Sequence, residues 1–308
     1  MSPDWSFENI THVDFDSSFA DFRPTSTYCW FEDLHNLESI SNIQFLNTEQ
    51  VVDMRNMFDC CEKLKHIDVS HFDTSKVTDM SGMFWNCTSL TDLDVSNFNT
   101  SKVANMIQMF YNCHSLTDLD LSNFNTSNVT GMFGMFSFCY SLKELNLSNF
   151  NTSKVASLRE MFYYCSSLSE LDVSSFKTDN VSDFLWMFNN CAALTTIYAS
   201  SYWNTDGLDR PTSMFSGCDN LVGGQGTRYA DHPDDYDSSL FAHIDGGPSN
   251  PGYFTYKEYV IPTDIDLPIV SYSNRQSENN WYSLQGVRVS SPSKGVYIRK
   301  GKQYLVKW

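Results

Sequence analysis

The sequence predicts an α/β fold of stacked 26-residue coils, each a short strand followed by a short helix, with a small β module at the C-terminal end. Three observations predict it. Seven Met-Phe pairs, from Met57-Phe58 to Met214-Phe215, recur at a step of 26 residues five times and then of 27. A cysteine follows each pair by three residues (Cys61 through Cys218), and a leucine follows each cysteine by three more (Leu64 through Leu221). Inside each period the apolar spacing changes from two residues to three and four. A fixed period of this length is the signature of stacked structural units, none of which buries its apolar face alone.

The unit from Leu90 to Leu116 shows how each element is read. Leu93 and Val95 alternate, which predicts a short strand with both side chains inward. Phe98 fills the corner, and Asn99, Thr100 and Ser101 are turn and N-cap formers. Val103, Met106, Met109, Phe110 and Cys113 then recur at spacings of three and four, the apolar stripe of a helix of about three turns. Trp30-Phe31, Leu37, Ile40 and Ile43 fit as a degenerate first repeat. At the other end Tyr198, Tyr202 and Trp203 break the pattern, as a terminal unit does. The expected division is an N-terminal cap over 1–27, the repeats over 28–222, an irregular glycine-rich cap over 223–260, a linker over 261–268 and a β tail over 269–308, with a hairpin turn at Lys300-Gly301.

Composition bounds the function. The chain has 308 residues and a formal net charge of −17. It lacks the Lys and Arg clusters that a phosphate backbone attracts, so nucleic acid is not an expected partner. No apolar run approaches the roughly 18 residues of a transmembrane span. The segment beginning Met1-Ser-Pro-Asp-Trp is not an export signal peptide. Seven of the nine cysteines share one repeat position, which predicts packed thiols rather than disulfides.

Side chains between the inward Leu and Val positions point outward and form two columns on the strand face. One reads Asp68, Asp94, Asp120, Asn146, Asp172 and Tyr198; the other reads His66, Asp92, Asp118, Glu144, Glu170 and Thr196. Like charges about 5 Å apart repel by roughly 1 kcal/mol per neighbour in water. Such a ladder invites a cation, Ca²⁺ among them, although no DxDxDG-type loop accompanies it and a solvated acidic face is the simpler reading. A second candidate binding group lies at the turn after the Met-Phe pair: Trp85, Tyr111, Phe138, Tyr163 and Tyr164. Tyr198, Tyr202 and Trp203 form a third. Exposed aromatics stack on sugar rings or anchor a protein, whereas packing between adjacent turns is the plainer use.

No GxSxG, HExxH, P-loop or GxGxxG fingerprint occurs, so the chain reads as non-enzymatic with no cofactor. The best metal-donor set by residue type is Cys60, Cys61, His66 and His71. The repeat register separates these residues, and no metal site is assigned.

The unit MFxxCxSLxxLDVSNFNTSxVxxM resembles the 26-residue repeat of bacterial surface proteins, a BspA-like divergent leucine-rich repeat of the DUF285 type, over about residues 28–222. The entry segment Phe15–Tyr28 and the exit segments Leu221–Thr227 and His243–Phe254 are similar to the caps of such proteins in gut Bacteroidetes. The tail around Tyr282–Val289 is similar to a module on exported proteins of that phylum. The resemblance implies a leucine-rich-repeat solenoid. It also implies a secreted or cell-surface location and a non-catalytic binding or adhesion role toward a host protein or glycan, with a ligand-free surface spacer or, less readily, a carbohydrate-active enzyme as alternatives.

Overall fold

The computed structural model describes residues 9–205, 213–232 and 238–259, together with five strand segments between 269 and 307. It forms two compact units, Met1–Val260 and Ile261–Trp308. The expected linker over 261–268 and the Lys300-Gly301 turn lie outside the described residues.

The expected helix in each coil is absent: the described residues contain no α-helix, only four short 3-10 segments outside the Met-Phe stretches. Residues 106–113 show what replaces it. Met109 N–H bonds back to Met106 O within the coil at 3.3 Å, and Phe110 N–H then bonds to Met135 O of the next coil at 3.0 Å. Tyr111 turns back to Gln108 O, Asn112 reaches Ser137 O, and Cys113 turns back to Phe110 O. Alternate amides therefore close turns and bridge coils. A helix would direct every amide along its own axis to residue i−4.

Two left-handed residues per coil make this possible. They are Asn56 and Cys60, Gly82 and Asn86, Gln108 and Asn112, Gly134 and Phe138, Glu160 and Tyr164, Trp186 and Asn190, with φ between 52° and 61°. A left-handed residue other than glycine costs roughly 1–2 kcal/mol, less for Asn. Bonds to the neighbouring coil offset that cost. The three-and-four spacing still marks the inward side chains, since Val103, Met106, Met109, Phe110 and Cys113 are all buried. It does not specify a helix.

Strands are sparser than one per coil. β1 (His12–Asp14) pairs in parallel with β2 (Ser39–Ser41), placing the N-terminal segment against the first coil. β3 (Glu170–Asp172), β4 (Thr196–Ala199) and β5 (Phe254–Tyr256) form a parallel three-stranded sheet at the other end. Between them are single parallel bridges such as His66 with Asp92 and Asn105 with Gly131. Neither a helix per coil nor a continuous curved sheet is present among the described residues. The strand-plus-helix, leucine-rich-repeat solenoid expectation is thereby corrected to a stack of turn-built coils.

Three columns hold the stack together. Phe31, Phe58, Phe84, Phe110, Phe136, Phe162, Phe188 and Phe215 stack with ring centroids 5.2–5.8 Å apart and planes within 8° of parallel. Each core thiol donates to the carbonyl of a Phe in the preceding coil, as Cys113 Sγ does to Phe84 O at 3.0 Å. All nine cysteines are free. Burial pushes the Cys139 thiol up to about 12, as expected of a sulfur among apolar groups.

The third column is threonine. Thr100 Oγ1 accepts from Asn125 N–H at 2.7 Å and donates to Asn125 O at 3.1 Å. Thr74, Thr126, Thr152 and Thr178 repeat this pair of bonds toward their next coils. The sequence expectation of a helix cap at Thr100 becomes a buried stitch between coils. Thr100→Val keeps the shape but leaves the Asn125 amide without its partner. Urea unfolding is expected to show a loss of about 2 kcal/mol; an unchanged midpoint would mean that the hydroxyl carries no such bond.

The second unit is a five-stranded sheet of β6 (Ile269–Ser271), β7 (Trp281–Ser283), β8 (Arg288–Val289), β9 (Gly295–Arg299) and β10 (Lys302–Lys307) in the order β6-β10-β9-β7-β8. β6 runs parallel to β10, and the other pairs are antiparallel.

Candidate functional site

The strand face carries both acidic columns, and the two differ in use. In the first, each carboxylate accepts the amide two residues on: Asp68 from Ser70, Asp94 from Ser96, Asp120 from Ser122 and Asp172 from Ser174, at 2.9–3.0 Å. These bonds make the corner turn of each coil. The serine contacts hold the Asp68, Asp94 and Asp120 carboxyls below the usual carboxylate range. The second column, Asp92, Asp118, Glu144 and Glu170, is exposed. Of these, Asp118 takes a bond from the Thr117 hydroxyl at 3.0 Å.

Residues 257–259, after β5, turn back onto this face. Lys257 Nζ lies 2.6 Å from Asp172 Oδ2 and 5.2 Å from the centre of the Tyr198 ring. Burial would raise the Asp172 carboxyl, but Lys257 and Ser174 outweigh it and hold it low. Tyr259 OH donates to Ser148 O at 3.2 Å, and its ring meets Tyr202 edge-on at 6.3 Å. Beside this segment is a cleft of about 340 Å³, lined by Lys143, Glu144, Asn146, Glu170, Asp172, Tyr198 and Lys257.

The turn edge gathers the second expected group. Trp85 stacks on Tyr111 at 5.5 Å, Tyr111 meets Phe138 edge-on at 5.2 Å, and Phe138 stacks on Tyr164 at 5.4 Å. Tyr163 stacks on Trp186 at 5.6 Å, with the Arg159 guanidinium 5.4 Å from the Trp186 ring. The rings are half-buried and spend much of their surface on one another.

Of the third group, Trp203 belongs to the core: it is 8% exposed, packs on Phe184 and Phe254, and donates from Nε1 to Ala242 O at 2.9 Å. Tyr198 lies under Lys257, and Tyr202 is exposed with the Lys177 ammonium 5.2 Å above it. Sequence reasoning missed Tyr140, Trp186, Lys257 and Tyr259. The 26-residue register places Tyr140 in the column of His114. Trp186 occupies the Gly82 and Gly134 column, which only a left-handed backbone brings to the edge. Nothing in the repeat locates Lys257 or Tyr259.

The four donors considered for a metal lie apart. Cys61 Sγ donates to Phe31 O in the core, His66 is exposed on the strand face, and His71 is half-buried against Phe72. No helix among the described residues is long and apolar enough to cross a membrane.

No curated protein and no solved structure matches the chain. A family model matches residues 25–144 and 115–225, and the family's description assigns no function. Neither the fold nor that match carries the BspA-like leucine-rich-repeat assignment. The leucine-rich-repeat adhesion role inferred from it is withdrawn, because the strand-plus-helix architecture it presupposes is not what the chain forms. The matched stretches span most of the coil stack, and the chain belongs to the family described as "Mycoplasma protein of unknown function, DUF285".

Proposed function

We propose that this is a non-catalytic recognition protein that takes a basic, extended peptide segment along its strand face. The observation that carries the reading is the seat of Lys257. There an extended stretch of the chain itself lies on the face, with an ammonium on a corner carboxylate and over a tyrosine ring, and a tyrosine hydroxyl on a corner carbonyl. The same face continues past that segment through Glu170, Glu144, Asp118 and Asp92, whose carboxylates are exposed. A cationic ligand relieves the repulsion between neighbouring carboxylates, about 1 kcal/mol per neighbour. Long side chains bridge the difference between the spacing of about 4.8 Å from coil to coil and that of about 6.6 Å between same-side residues of a strand.

The test is fluorescence anisotropy with a labelled extended peptide carrying alternating lysines, read against its glutamate counterpart. Saturable binding of the lysine peptide, weakening as salt rises, is expected. The double change Glu144→Gln and Glu170→Gln should weaken it about tenfold, equivalent to about 1.4 kcal/mol. Equal binding of both peptides, or an affinity indifferent to the double change, would overturn the reading.

A further inference from the structure

The first two coils carry at their turn edge a cluster that the later coils lack. His35, Cys60 and Glu62 place a nitrogen, a sulfur and a carboxylate oxygen all within 4.8 Å of one another. His35 Nδ1 is sealed from solvent without a hydrogen-bond partner and lies 3.3 Å from Glu62 Oε1. The neighbouring Asp59 carboxyl is half-buried and in hydrogen-bond contact with the Cys60 thiol. His35 Nε2 faces Asp33 Oδ1 at 3.9 Å. Asn86 of the following coil turns its amide to both Cys60 Sγ, at 3.5 Å, and Glu62 Oε1, at 3.3 Å.

The coil architecture does not require these residues. The core thiol of this coil is Cys61, so Cys60 is a second one. Its counterparts in later coils are Asn86, Asn112, Phe138, Tyr164 and Asn190, and those of Glu62 are Thr88, His114, Tyr140, Ser166 and Ala192. Cys60 also holds φ of 58°, where asparagine is the easier residue. His35 Nδ1 is sealed from solvent with no hydrogen bond and only the Glu62 carboxylate 3.3 Å away, an arrangement better satisfied when a cation lies between the three donors.

We propose that His35 Nδ1, Cys60 Sγ and the Glu62 carboxylate bind a divalent transition-metal ion of the zinc class. Nitrogen, sulfur and oxygen donors together select such an ion over calcium or magnesium. Bond lengths of about 2.0–2.3 Å set ligand–ligand separations near 3.5 Å in a tetrahedron. The cluster therefore needs to close by about 1 Å, and the His35 and Glu62 side chains, each 44% exposed, have room to do so. Asp33 then stands where an outer carboxylate fixes the imidazole tautomer, and Asn86 supplies amide donors to the thiolate and carboxylate. Binding strips the thiol proton from Cys60, which burial otherwise pushes up to about 12.

The test is titration of the full chain with cobalt(II) under reducing conditions, followed by the thiolate-to-cobalt charge-transfer band in the near ultraviolet. One equivalent is expected to bind, and zinc to displace it. Cys60→Ser should abolish the band, His35→Gln should weaken binding at least tenfold, and Asp33→Asn should weaken it about tenfold. Cys29→Ser should leave the band intact. Thermal melting of each variant without metal checks folding, and His35 is exposed enough for its replacement to be tolerated. Absence of the band in the wild-type chain, or its survival in Cys60→Ser, would overturn the assignment.

Discussion

Phe136→Ala is expected to lower the unfolding free energy by about 4 kcal/mol, the largest effect of any single substitution considered for this chain. Phe136 is fully buried at the middle of the ring column, stacked on Phe110 and Phe162 at 5.8 Å on either side. The change opens a cavity and also removes two offset-stacked pairs, each worth about 0.5–1.5 kcal/mol beyond burial. The surrounding backbone is tied to both neighbouring coils, through Phe136 N–H to Met161 O and Phe110 N–H to Met135 O, so collapse into the space is restricted. Denaturant unfolding measures the loss. A change below about 1 kcal/mol would show that the rings do not share one column.

Asp245→Ala should cost about 3 kcal/mol, and the cost should depend on pH. Asp245 is 5% exposed at the end of the stack. It accepts from Gln225 N–H and Thr227 N–H through Oδ2, and from the Thr227 hydroxyl and Gly247 N–H through Oδ1, at 2.8–3.0 Å. Gly223 and Gly252 pack so closely that a Cβ on Gly223 would meet Gly252 O at 2.1 Å. Burial alone would raise the Asp245 carboxyl, but these hydrogen bonds outweigh it and hold it below the usual range. A carboxyl depressed in the folded state contributes its full stability above the ordinary carboxylate value of about 4 and loses it as pH falls below that. The melting gap between wild type and Asp245→Ala should therefore be largest near neutrality and shrink toward about pH 3. A gap of constant size would show that the ionised form is not what the loop holds.

The period and the inward positions were legible from sequence because burial follows side-chain type. Backbone conformation was not, because turns with alternating handedness and a helix both return an apolar side chain every three or four residues. Gly82, Gly134, Asn86 and Asn112 were the available warning. Glycine and asparagine inside an expected helix are poor formers, and they occupy the left-handed positions. The division of the outward carboxylates into corner-forming and open ones depends on Asx turns that outward alternation does not encode. The His35, Cys60 and Glu62 cluster was missed for another reason. Donors were sought within one coil and the start of the next, whereas bonding between coils brings together residues 25 to 27 apart.

The bridging amides have a consequence for how such a molecule changes size. Leu90 precedes Thr91 and Leu116 precedes Thr117, so the chain passes equivalent points one period apart with the same neighbours ahead. Gain or loss of a whole period at that seam preserves the phenylalanine, cysteine and threonine columns in kind. Length is therefore quantised, and a family built this way can lengthen or shorten by whole layers without redesigning its cross-section.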